Sequence, residues 1–158
     1  MTLRSTDSFR REQIRLLRRI EELPVLAHEL PSMDVDQRIS AVERVVAFLA
    51  QTLLPHAEIE QQILYPEAER LLGRRHDGGA VEQDRREVRQ RIRELVAADP
   101  SEPGAIQEIL YALHAVLAIH LEHEAEVYLK LVQMQPEQAV RRLFRRVTGS
   151  HGGLTPAA

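Results

Sequence analysis

Apolar residues recur along this chain in alternating steps of three and four, the period of an α-helix with one buried stripe. Four long segments carry the pattern. They run from about residue 7 into the late twenties, from about 35 to 72, from about 80 to 98 and from about 103 to 134. Ser5, Thr6 and Asp7 are N-cap candidates for the first, and Pro24 is expected to bend or end its regular part. Asp34 and Asp36 can cap the second, and Gly73 stops it. The stretch ADPSEPG closes the third, and Pro103 suits the first turn of the fourth. A short basic amphipathic piece, Pro136 to Val147, predicts an extra C-terminal helix. One domain is expected over residues 1–148, with a disordered tail over 149–158. No strand-like alternation of any length appears, and the connections are short. The fold predicted is all-α, an antiparallel up-down four-helix bundle.

The segments repeat internally. Val46, Leu49, Leu53, His56, Glu60 and Ile63 share their spacing with Leu110, Leu113, Leu117, His120, Glu124 and Val127. Phe9, Gln13, Leu16, Ile20 and Leu23 share theirs with Val81, Arg85, Val88, Ile92 and Leu95. Helix one thus pairs with helix three, and helix two with helix four, as in a pseudo-twofold bundle.

Each of the second and fourth stripes contains His-x-x-x-Glu, as HAEIE and HLEHE. Residues four apart project about 40° apart on a helix, so both side chains enter the seam. Burying imidazole and carboxylate among Val, Leu and Ile costs free energy unless the groups pair or bind a metal. Two readings follow. His56, Glu60, His120 and Glu124 form a cation site suited to iron, manganese or zinc, or they form two buried hydrogen bonds that fix the bundle register.

Composition narrows the classes. The 158 residues carry 21 basic and 24 acidic side chains, a net charge of -3, which gives no generic nucleic-acid surface. There is no cysteine, which excludes a disulfide scaffold, an iron–sulfur cluster and a thiol nucleophile. No apolar run approaches the roughly 20 residues that a membrane helix needs, and the N-terminus lacks an apolar signal core. A cytoplasmic protein acting on neither membrane nor nucleic acid is expected. RRLFRRV, near the C-terminus, is a small basic patch able to dock on a protein partner that the sequence does not identify.

LLPHAEIEQQILYP resembles the second-helix signature of the hemerythrin-like, HHE cation-binding family, and LYALHAVLAIHLEHEAEVYLKL resembles its fourth. The similarity spans nearly all of residues 5–135, including the Tyr65-Pro66 pair. It implies an antiparallel four-helix bundle around a non-haem di-iron centre. It also implies binding of dioxygen or another diatomic ligand, or sensing and handling of iron, redox state or reactive nitrogen species. His56, Glu60, His120 and Glu124 match family ligands, the glutamates as bridges.

The chain departs from the pattern on helices one and three, where the family supplies further histidines. Gln13 stands at the first position and Arg85 at the second, with Asp84 just before it. A shift of one residue would make Asp84 the site residue. Gln is a poor ligand and Arg does not coordinate. Arg85 either holds Glu60 and Glu124 in place of a cation, making a metal-free regulatory or interaction module, or bends its stem over the core toward water. His123 could border the site. The ligand count favours one or two weakened metal positions and argues against an oxidase or peroxidase-like enzyme.

Overall fold

The periodic segments are helical in the computed structural model, which describes residues 3–72 and 78–134. Side chains are described from residue 11 to 126, apart from 63–64, 67–68 and 71–81. The predicted C-terminal helix, the tail, His76 and His151 lie outside the described residues. Among the described residues there is no strand.

Helix α1 spans Leu3–Glu29 and passes through a single 3-10 turn, Leu30–Ser32, into α2, Val35–Phe48. A π-helical turn, Leu49–Leu53, joins α2 directly to α3, Leu54–Leu72. Helices α4, Gly78–Ala97, and α5, Pro103–Met134, complete the described chain. Counting α2 and α3 as one interrupted rod, these are the four segments read from the sequence.

Their buried stripes make one core. Leu16, Ile20 and Leu23 of α1 meet Val45, Phe48 and Leu49 of the second rod, Val88 and Leu95 of α4, and Ile106, Leu110, Leu113 and Leu117 of α5. Both α1 and α4 pack along α5. Contrary to the expectation that no apolar stretch reaches membrane length, Pro103–Glu126 of α5 is long and apolar enough to cross one by length and composition. Its most buried residues, Ile106, Leu110, Leu113, Leu117 and Leu121, face the bundle core.

Three prolines shape the local structure. Pro24 does not end α1, which runs on to Glu29. A proline inside a helix costs about 3 kcal/mol, but Leu23, Ala27 and Leu30 are buried on either side and packing outweighs that cost. Pro31 has no N–H for the carbonyl of Ala27, four residues back. Gln107 of α5 donates to that oxygen instead, at 2.7 Å. Pro55 likewise cannot donate to the residue four before it, and the π turn lies immediately upstream. There Leu54 N–H reaches back five residues to Leu49 O, a widening that accommodates the proline ring.

Asp34 caps α2 with a capping box: its carboxylate accepts from Gln37 N–H at 2.8 Å, and Gln37 Oε1 accepts from Asp34 N–H at 2.9 Å. Asp34→Ala is expected to cost about 0.5–2 kcal/mol, read as a lower denaturant midpoint with unchanged slope.

Candidate metal centre

Two histidines and two glutamates interrupt the core at one level of the bundle. His56 and Glu60 lie just after the π turn and Pro55, on the first turns of α3, and His120 and Glu124 lie on α5. Glu60 and Glu124 are 0% exposed, His56 3% and His120 5%. The i, i+4 spacing sets each imidazole against its own carboxylate: His56 Nε2 is 2.8 Å from Glu60 Oε1, and His120 Nε2 is 2.9 Å from Glu124 Oε1. The ligating atoms of His56, Glu60 and Glu124 also lie within 4.8 Å of one another across α3 and α5. His120 stands outside that trio and touches it through Glu124.

The electrostatics are those of crowded, dehydrated carboxyls. Burial pushes the Glu60 carboxyl well above its usual range, and the negative charge of Glu124 pushes it further. Burial acts on Glu124 in the same sense, but its interactions with Glu60 and the adjacent imidazoles of His120 and His56 outweigh it, so Glu124 is held below its ordinary value. Burial lowers His56, but Glu12 and Glu60 overcome this and raise it to about 10. His120 is raised for the same reason, with burial opposed by Glu124 and Asp84. Tyr65, buried further along α3, is raised by burial and then by the charges of Glu124, Glu60 and Asp84. Without a cation, this arrangement holds positive charge only by keeping protons on its imidazoles.

Gln13 reaches the site. Its Nε2 donates to Glu124 Oε2 at 2.9 Å, from the position where the family pattern has a histidine. Asp84 reaches it too, with Oδ2 3.5 Å from His120 Nδ1. Arg85 does not hold Glu60 or Glu124. Its guanidinium pairs with Glu82, three residues earlier on α4, and its side chain is 12% exposed. The nearer i, i+3 carboxylate captures it with less loss of rotamer freedom than a reach across the seam. His123 is exposed and does not border the centre. His114 faces Glu21 of α1 at 3.3 Å, and His28 is exposed.

One contributor was missed in the sequence. Glu12 Oε1 lies 3.4 Å from His56 Nδ1, much as Asp84 Oδ2 lies 3.5 Å from His120 Nδ1. The internal repeat equates Gln13 with Arg85, so it also equates Glu12 with Asp84, and that signal identifies both. Each carboxylate addresses Nδ1 from the preceding rod, which turns Nε2 toward the Glu60 or Glu124 side. Such outer partners fix the tautomer of a ligating imidazole. Glu12→Gln is expected to weaken cation retention about 10- to 100-fold without unfolding the bundle, measured by competition with a coloured chelator.

The residues fit a cation. Both oxygens of Glu60, Oε1 of Glu124 and Nε2 of His120 are buried with no aligned hydrogen-bond partner. Leaving such groups unsatisfied is costly in a dry core, and imidazole with carboxylate is a donor set for iron, manganese or zinc. Inward-facing histidines and glutamates on facing helices define the class of helical-bundle cation sites. The family model described as Hemerythrin HHE cation binding domain matches residues 4–147, and the chain belongs to that family. No curated protein and no solved structure was found to match it.

Proposed function

We propose that this protein is a non-haem iron protein in which an antiparallel up-down bundle buries a cation among His56, Glu60, Glu124 and His120. The observation that carries the reading is the Glu60 carboxylate, fully buried with neither oxygen in an aligned hydrogen bond. Bound iron(II) would supply Lewis acidity and one-electron redox chemistry toward dioxygen or another diatomic ligand. The chain's own residues do the rest. Glu12 and Asp84 orient the imidazoles, Gln13 fixes the plane of Glu124, and the leucine layers around Leu53 and Leu117 exclude bulk water. Binding, sensing or handling of such a ligand suits a site with few imidazoles better than rapid turnover does. The metal-free alternative required Arg85 on the site carboxylates, and its pairing with Glu82 removes the observation that favoured it.

The test is anaerobic addition of iron(II) to chelator-stripped protein, desalting and metal analysis, with zinc and manganese in parallel. Iron retained by folded wild type, and an optical change on admitting dioxygen, support the reading. Folded protein that retains none of the three metals overturns it.

A further inference from the structure

We infer that Gln13 and Arg85 make the centre asymmetric, so that it takes one divalent cation, held by His56, Glu60 and Glu124, with the His120 half closed to a second. The inference rests on the cation-binding reading above and goes beyond the two-metal centre that family resemblance implies. Three observations carry it.

The first is the clustering. His56, Glu60 and Glu124 bring their ligating atoms within 4.8 Å of one another, and His120 does not join them.

The second is the clamp on Glu124. A carboxylate that bridges two ions offers an oxygen to each. Here Oε2 already accepts a 2.9 Å hydrogen bond from the Gln13 amide. That bond takes one lone pair of Oε2 and fixes the carboxylate plane, so Oε1 is the oxygen of Glu124 left without an aligned partner and facing the cluster.

The third is ligand supply. The internal repeat equates Gln13 with Arg85, so equivalent positions carry a neutral amide that reaches Glu124 and a guanidinium paired with Glu82. Arg85, Asp84 and His120 line one cavity of about 10 Å³, enough for about one water. The guanidinium Nε is buried there without a hydrogen-bond partner. Arg85 cannot coordinate and is paired with Glu82, and Asp84 is turned to His120 Nδ1, so α4 supplies this half with an outer partner but no imidazole ligand. The first half offers three converging ligands, and the second offers the imidazole of His120 beside a side chain that cannot coordinate.

Zinc(II) is the probe, since it binds without redox change. Chelator-stripped protein is titrated calorimetrically, and bound zinc is measured after desalting. The expected stoichiometry is one per chain in wild type and two in Gln13→His/Arg85→His. His56→Gln is expected to weaken binding by more than about 100-fold and His120→Gln by about 10- to 100-fold, the range of an outer partner. The two single variants keep the test decisive if the double variant does not fold. Two zinc ions in wild type, or equal losses in His56→Gln and His120→Gln, overturn the asymmetry and leave the cation-binding reading standing. No zinc bound to folded wild type, with none of iron or manganese either, overturns both.

Discussion

Glu60→Ala is expected to lower cation affinity by more than about 100-fold, since loss of an outer partner alone costs about 10- to 100-fold. Glu60 belongs to the buried trio found among the described residues, and neither of its oxygens has an aligned hydrogen-bond partner to compensate. The fold should survive, because the Leu110, Leu113 and Leu117 layers do not depend on it. Competition against a chelator of known affinity, with helicity followed by circular dichroism, separates the two effects. Glu60→Ala that binds as tightly as wild type contradicts the assignment.

The second large effect is the pH dependence of the metal-free protein. His56 is raised to about 10 in the fold. A base raised by folding contributes stability that is complete below its unfolded value near 6.5 and is lost as pH rises through about 10. Glu60 is also raised, so the fold holds its proton more tightly and loses stability as that proton leaves. Glu124 is lowered and acts in the opposite sense, with its contribution lost on acidification. Denaturant stability in excess chelator is therefore expected to fall by a few kcal/mol between pH 6.5 and 10, on the order set by about 1.4 kcal/mol per pH unit. Metal binding requires the same groups deprotonated, so cation affinity should rise over that window. A metal-free protein equally stable at both pH values contradicts the coupled His56–Glu60 arrangement.

Much of this architecture was legible because strong periodicity coincides with strong punctuation. The rods 35–72 and 103–134 are bounded by Asp34, Gly73 and Pro103, and their stripes include both His–Glu pairs. Of the two outcomes expected at Pro24, a bend or an end, the end does not occur, because the buried faces on either side keep α1 helical to Glu29. The π turn was foreshadowed by Pro55, whose missing N–H lies just after it. Glu12 escaped notice because the repeat was read at the vacated ligand positions and not at their neighbours. Arg85 could not be placed from sequence, since spacing does not decide between Glu82 on its own helix and carboxylates across the seam. That choice follows from side-chain entropy and reach in three dimensions.

Crystals grown with iron(II) under anaerobic conditions, with anomalous diffraction measured on both sides of the iron edge, test the central claim most directly. The account predicts an anomalous peak bonded to His56, Glu60 and Glu124, with Gln13 still on Glu124 and no second peak at His120. A well-ordered His56–Glu60–Glu124 cluster without such a peak, in crystals whose protein is shown to be exposed to iron, would contradict it.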